Sequence, residues 1–294
     1  MNDAASRSVR MPDETPFIRM QAHGEGSRLP LRRGCVVLSE LASGRSAVRA
    51  LAPSVKFVLE GEEVYRIDGR SRHVRSGEFI LVEAGTEFEV RTPRPDRTVG
   101  LCVYLGVAEG TAPGEVPRDF GSVLSGSRID PLAGLLGRYA RLLAERPAAG
   151  PAMARRIVQE VTIGAEDYLS AFATRVERLG SQKQSTRIET VQRVEKARCF
   201  IHDNAERTIS LEDVAAQAAL SRFHLSRSFS EVFGLPPLAY HRRLRLDVAA
   251  RLLRSDAASP TQIAEQLGYA SLSAFTRAFR QNFGVPPSQA RSIA

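Results

Sequence analysis

Thr261–Pro287 reads TQIAEQLGYASLSAFTRAFRQNFGVPP, and the fold of the C-terminal part is decided there. The apolar period Ile263, Ala264, Leu267 predicts a short helix that stops at Gly268, because glycine takes positive φ at a helix C-terminus without a Cβ penalty. After Tyr269–Ala270, Ser271 is placed to cap a second helix. Leu272, Phe275, Ala278, Phe279 and Phe283 fall close to i, i+3, i+4, i+7, so they are expected to be its buried face. Gly284 before Pro286–Pro287 is expected to be its end. Two helices about a tight turn, the second carrying Arg277 and Arg280, are the parts of a helix-turn-helix.

The same punctuation recurs upstream in Asp213–Tyr240, DVAAQAALSRFHLSRSFSEVFGLPPLAY. Val214–Ala215 matches Ile263–Ala264, and Ala219 stands where Gly268 stands. With one residue fewer in the turn, Ser221, Leu225, Arg227, Phe229, Phe233, Gly234, Pro236 and Pro237 match Ser271, Phe275, Arg277, Phe279, Phe283, Gly284, Pro286 and Pro287. With this duplication the region from Ile188 to Arg291 resembles the AraC/XylS family of bacterial transcription regulators. Their DNA-binding domain carries two helix-turn-helix units joined by a long helix. The downstream copy carries the resemblance most specifically, through Ile263–Ala264, Gly268–Tyr269, Ser271, Ser273, Phe275, Arg277, Phe279–Arg280, Phe283–Gly284 and Pro286–Pro287. One departure is Ala290, where the family has an aromatic residue before Arg291; weaker packing of the last turn is expected there.

At 294 residues the chain has room for two domains with cores of their own. Apolar content of 43% and charged content of 25% fit a soluble globular protein. The formal net charge is +8 and the isoelectric point near 9.9, which favours a polyanionic partner. Residues 181–294 hold 16 Lys+Arg against 10 Asp+Glu, so +6 of that surplus sits on the helix-turn-helix part. Cys35, Cys102 and Cys199 are odd in number and in no C-x-x-C pattern, against a disulfide framework or zinc site. No run approaches the roughly 18 apolar residues of a membrane span. MNDAASRSVRMPDETP also lacks a signal-peptide core, so a cytoplasmic location is expected.

The expected architecture is α+β in two domains: an N-terminal cupin-like β-barrel with appended helices and a C-terminal all-α domain with two helix-turn-helix units. Residues 1–30, polar and rich in Pro and Gly, are expected to be a flexible arm; in related regulators such arms can contact the DNA-binding domain. Residues 31–127 hold the barrel. Val36–Leu41, Ser54–Leu59, Glu63–Ile67, Glu78–Val82, Thr86–Val90 and Val99–Leu105 read as short strands between Gly-containing turns. Asp68–Gly69 is a two-residue type I′ hairpin signal. Short antiparallel strands at this spacing indicate a barrel or jelly roll. The run from Leu59 to Glu78 looks like the small cupin barrel that many AraC-type regulators carry as a sensor. Residues 106–127 read as a connection. Residues 128–180 hold two helices, Pro131–Glu145 capped by Asp130 and Ala152–Leu179, which either form a dimer interface or cover an open face of the barrel. Residues 181–187 read as the linker and 188–294 as the DNA-binding domain. Within it, Glu189–Ala205 leads, buried through Val191, Val194, Ala197, Cys199 and Ile201. Ser210 and Asp213 form a capping box for Leu211–Ala219. A connecting helix runs from Pro236 to about Ser255, buried through Leu244, Val248, Leu252 and Leu253. Its length of roughly 30 Å is close to the ~34 Å between successive major-groove faces, so one chain could place both second helices in adjacent grooves.

Enzymatic cupins bind metal through two or three histidines and a glutamate. Residues 24–120 contain one histidine, His73, and Ile80 stands where the family's second motif has a metal histidine. No metal, no cofactor and no catalytic residue is expected. A small-molecule pocket at a barrel mouth is the alternative to a purely structural or dimerising barrel. Tyr65, Lys56 and Glu83 are either pocket groups or strand residues facing solvent. His202, His224 and His241 lack ligand-spaced partners and read as packing or phosphate contacts.

Positions matching those from which the family reads bases are Arg222, Phe223, Ser226 and Arg227 in the first unit. In the second they are Leu272, Ser273, Ala274, Thr276 and Arg277. A guanidinium can donate twice to guanine, which favours Arg227 and Arg277, while Phe223 and Ala274 suit thymine methyls. Arg227 and Arg277 could also be solvated and Phe223 could be core. Ser221, Arg242, Arg243, Ser271 and Arg280 are the candidates for phosphate. The expectation is a promoter-binding regulator, not an enzyme, controlled by a small molecule or by homodimerisation; contact with RNA polymerase is implied by the resemblance alone. The alternatives are a metal-dependent cupin enzyme fused to a DNA-binding domain, or a constitutive regulator whose barrel only dimerises.

Overall fold

The computed structural model describes residues 9–10, 15–21, 23, 34–93, 97–108, 123–146, 150–180, 183–254 and 258–292. It divides into two compact units, Met1–Thr174 and Arg175–Ala294, the first rich in sheet and the second helical. None of the described helices is long and apolar enough to cross a membrane.

In the first unit the strands are β1 (Val9–Arg10), β2 (Phe17–Met20), β3 (Val36–Leu41), β4 (Gly44–Arg49), β5 (Ser54–Glu60) and β6 (Glu62–Ile67). There follow β7 (Arg70–Arg75), β8 (Phe79–Val82), β9 (Glu87–Thr92), β10 (Thr98–Tyr104), β11 (Val107–Ala108) and β12 (Val123–Gly126). They form a six-stranded sheet ordered β12-β8-β5-β10-β3-β2, a four-stranded sheet ordered β4-β9-β6-β7, and the small pair β1-β11. Among the described residues no ladder joins the two larger sheets, so the expected barrel is two facing sheets and not one closed cylinder. The β6–β7 hairpin turns on Asp68 and Gly69 at φ 49° and 74°, the two positive values that a type I′ turn requires.

Three expectations change. The arm expected over residues 1–30 contains a strand: β2 lies parallel to β3 with Phe17 opposite Val36, so part of it gains a backbone ladder; the rest, apart from β1 and a few neighbours of β2, lies outside the described residues. The connection expected over 106–127 contains β11 and also β12, which pairs β8 with Val123 opposite Val82. Gly126 there lets the Phe79 ring approach, since a Cβ would lie 2.0 Å from its Cζ. Asp130 precedes the first helix, but its carboxylate does not cap it; it accepts from Ser127 N at 2.8 Å and Ser127 Oγ at 3.2 Å, closing the preceding turn instead.

Two helices follow, α1 (Pro131–Glu145) and α2 (Pro151–Arg178). α1 covers the outer face of the six-stranded sheet through Leu136, Ala140 and Gly137, the last held close to the Phe57 ring. α2 is tied to the sheet by Tyr168, whose hydroxyl donates to Ser125 O at 2.8 Å and whose ring meets Phe79 edge-on at 5.1 Å. Both helices therefore pack on the six-stranded sheet.

The second unit contains α3 (Gln184–Asp203), α4 (Leu211–Ala218), α5 (Arg222–Phe233), α6 (Pro237–Arg254), α7 (Pro260–Gln266), α8 (Leu272–Phe283) and a final 3-10 turn, Pro287–Ser292. α3 starts earlier than expected, so Gln184 to Arg187 are helical and not linker; an exposed first turn needs no apolar anchor. The Ser210–Asp213 capping box is formed on α4, and Ser259 with Gln262 forms another on α7. Leu246, Ala249 and Leu253 of α6 pack with Ile263, Ala264 and Leu267 of α7 and with Phe275 and Phe279 of α8. Ala290 is buried in the same cluster at 2% exposure, so the small residue at that position is part of the core. Leu244 and Leu252 are only half-buried.

Candidate functional site

Each helical pair ends in a helix with one face in the core. α5 buries Leu225, Ser228, Phe229 and Val232, and α8 buries Phe275 and Phe279. The copies agree in ring geometry: Phe229 and Phe233 stand 4.6 Å apart with planes at 56°, Phe279 and Phe283 4.7 Å apart at 50°. The caps agree too. Ser221 Oγ accepts from His224 N at 3.2 Å and Ser271 Oγ from Ala274 N at 3.1 Å, while Gly234 and Gly284 end the helices at φ 78° and 77°.

Because the same positions turn inward, the same positions turn outward. Arg222, Phe223 and Arg227 are exposed and Ser226 half-buried on α5; Leu272, Ser273, Ala274 and Arg277 are exposed and Thr276 half-buried on α8. Phe223 is 79% exposed, which removes the core reading for it. Leu272 is 42% exposed, correcting the expectation that α8 buries it: at the first position of the helix it projects past the core. Ser221, Ser271, Arg280, Arg242 and Arg243 are exposed as well.

The electrostatics of the two faces differ. Arg222 Nη1 lies 2.5 Å from Glu212 Oε1, and Arg227 Nε donates to Glu231 Oε1 at 2.9 Å. The Glu212 carboxyl is held below the usual range by its own backbone amide and by Arg222. On α8 the residue four beyond Arg277 is Gln281, and among the described residues no carboxylate pairs with Arg277 or Arg280. Sequence reasoning missed Glu212 and Glu231; the i, i+4 spacing of Arg227 and Glu231 was the signal for the second.

Neighbouring side chains hold the first pair in place. Arg178 Nη1 donates to Val232 O at 2.7 Å near the end of α5, and Arg193 Nη1 to Ala219 O at 3.1 Å at the end of α4. Glu195 sits between Arg175 at 2.9 Å and Arg198 at 2.6 Å. His241 is buried, with Nε2 3.0 Å from Asn204 O; burial pushes its pKa below the ordinary value against the carbonyls facing it. His202 bonds Tyr240 Oη at 2.9 Å. Both are packing groups, and His224 is half-buried on α5.

The first unit has a cavity between its two sheets, with an empty volume of about 750 Å³ counting the open mouth. Lys56 and Tyr65 line it, so neither faces solvent; Glu83 is not among its lining residues. Lys56 Nζ is 3.2 Å from Cys102 Sγ and lies over the Phe88 and Tyr104 rings at 5.3 and 5.5 Å. Tyr65 donates a short hydrogen bond to Glu63, a buried carboxyl that the strand pattern gave no reason to single out. Burial opposes charge on Lys56, but Cys102, Tyr104 and Glu63 carry its pKa above the usual lysine value. Burial likewise raises Glu63 above the usual carboxyl range, against the opposing pull of Tyr65, Lys56 and His23. His23 at the rim is held by Thr92 Oγ1 at 2.8 Å and Ser46 Oγ at 3.2 Å. Among the described residues no group of three His, Cys, Asp or Glu side chains is placed to hold a metal.

A family described as "Helix-turn-helix domain" matches residues 214–293, the stretch from α4 to the final turn. An AraC-like transcription regulator of Streptomyces lividans is 38% identical over 31% of this chain and 30% of its own length, so the chain spans about a third of that relative. The transcriptional activator NphR of Rhodococcus is 27% identical over 79% of this chain and 68% of its own length. The DNA-binding domain of AdpA, solved in complex with a target DNA, is 26% identical over 34% of this chain and 89% of that one, with a TM-score of 0.32. Residues 214–293 thus carry a helix-turn-helix domain similar to those of AraC-like transcription regulators.

Proposed function

We propose that the α4–α5 and α7–α8 pairs are two helix-turn-helix units that bind promoter DNA together, with α5 and α8 as the recognition helices. The observation that carries this is the repeat in three dimensions: matched serine caps, matched glycine ends, matched phenylalanine pairs, and an exposed arginine at the same place on each outer face. α6 joins the two units; its 18 residues give about 27 Å at 1.5 Å rise, near the spacing of successive major-groove faces. Arg222, Phe223, Ser226 and Arg227 then read one groove segment, and Leu272, Ser273, Ala274, Thr276 and Arg277 the next. Ser221, Ser271, Arg242, Arg243 and Arg280 contact phosphate and set the register without reading sequence.

The first unit is a cupin-like sensor whose cavity takes a small molecule, and it biases DNA binding by favouring one arrangement of the chain over another. Homodimerisation, contact with RNA polymerase and a cytoplasmic location complete this reading, and no catalytic step is assigned. The relatives named above are regulators, in line with it. Binding of purified protein to promoter fragments, followed by fluorescence anisotropy against salt, tests the interface. Arg280→Ala is expected to weaken all sequences alike and to reduce the salt slope by about one. A slope unchanged in Arg280→Ala and in Arg242→Ala contradicts the phosphate assignments.

A further inference from the structure

We propose that the cavity between the two sheets binds a small monocarboxylate, with Lys56 as counter-ion to the acid group and the aromatic and aliphatic walls holding a compact apolar body. This rests on the reading of the first unit as a sensor and names the class of molecule sensed.

The reason is a cation without an anion. Lys56 lies on β5 with its side chain turned into the cavity, out of water. An ammonium has three donors, and the partner here is a thiol, a weak acceptor. The Phe88 and Tyr104 faces attract the charge but accept no strong hydrogen bond. Among the described residues no carboxylate lies within ion-pair distance of Nζ. Glu63, the carboxyl whose charge Lys56 senses, is occupied by the Tyr65 hydroxyl, and its burial favours the neutral form. The thiol takes only one of the three donors, and weakly, so an incoming carboxylate would accept the remaining donors in charge-assisted bonds.

The rest of the cavity limits the ligand. Leu41, Val48, Phe88 and Val90 line it beside Lys56, and among the described residues no arginine does. A single cation suits a monoanion; a phosphate or dicarboxylate would bring a second charge against apolar walls and Glu63. Gly100 contributes room, since a Cβ there would lie 2.8 Å from Ser39 Oγ and 3.0 Å from Glu63 Oε1. Ser39 and the Glu63–Tyr65 pair offer a second polar point, suited to a hydroxyl on the apolar body.

The test is calorimetric titration of the full chain with benzoate, 4-hydroxybenzoate and isovalerate, each paired with its primary amide. At least one acid is expected to bind at least about tenfold more tightly than its amide, the size of one charge-assisted hydrogen bond. Lys56→Met, neutral and similar in shape, is expected to erase that preference. Equal binding of acid and amide, no binding of any of the three acids at millimolar concentration, or a preference that survives in Lys56→Met overturns the proposal. Should Lys56→Met fail to fold, the wild-type ratio of acid to amide decides alone. DNA affinity is measured in parallel with and without the bound acid: a change supports the sensor reading. Selective acid binding with no such change upholds the ligand class and overturns the sensor reading.

Discussion

Arg227 Nε donates to Glu231 Oε1 at 2.9 Å on the exposed face of α5. The matching Arg277 of α8 has Gln281 where Glu231 would be. In the proposed interface one arginine must leave a carboxylate to reach DNA and the other need not. Exposed i, i+4 pairs are weak, so Glu231→Gln is expected to tighten DNA binding by only about twofold at low salt. It would also place less negative charge near phosphate. Anisotropy titration checks this; weaker binding by the variant would mean that the pair orients Arg227 for contact.

Ala219 ends α4 at φ 51°, a left-handed conformation that its counterpart Gly268 adopts at 66°. A Cβ is strained there. Ala219→Gly is expected to stabilise the helical unit by about 1 kcal/mol, less the extra entropy glycine brings to the unfolded chain. Circular dichroism melts would show it as a higher midpoint, and a lower one would mean that the alanine side chain is needed.

Glu195 holds Arg175 at 2.9 Å and Arg198 at 2.6 Å, all three side chains at or below 21% exposure. Removing it leaves two largely buried guanidinium groups without that carboxylate. Glu195→Ala is therefore expected to destabilise the second unit by about 3 kcal/mol, more than either arginine variant does. Urea unfolding of the three variants provides the comparison.

His241 is kept neutral by burial, with Arg245 adding repulsion, so its folded pKa lies below the ordinary 6.5. Between that lowered value and 6.5 the unfolded chain binds more protons than the folded one. This part of the stability is present above 6.5 and is lost as pH falls from there through the folded pKa. Melting midpoints are expected to drop over that window in wild type and less steeply in His241→Gln; parallel curves would remove His241 as the cause.

Position within the sheet decided which strands were legible. The six strands expected from sequence became β3, β5, β6, β8, β9 and β10, which are the interior strands of the two large sheets. Those overlooked in the same two sheets, β2, β4, β7 and β12, are their four edges, and the short pair β1-β11 was overlooked as well. β7, RSRHVR, buries only Val74, and β4, GRSAVR, alternates between half-buried and exposed; a charged edge resists pairing with another chain but leaves no apolar run to read. The helical half was clear because its signals are local: caps, glycine ends and the period of Phe275 and Phe279 lie within a few residues of each other. The cavity was not. Lys56 and Tyr65 stood out as strand residues, yet their inward direction depends on the pairing of distant strands, and Glu63 beside Tyr65 gave no signal.

The most direct test of the two-unit interface is binding-site selection from random DNA with wild type and Arg277→Ala. The wild type is expected to recover one asymmetric motif spanning about two helical turns. Arg277→Ala is expected to recover the same motif with sequence preference lost at one end, the half that α8 reads. Selection of no motif by the wild type, or an identical motif from the variant, would contradict the assignment of α8 as a recognition helix.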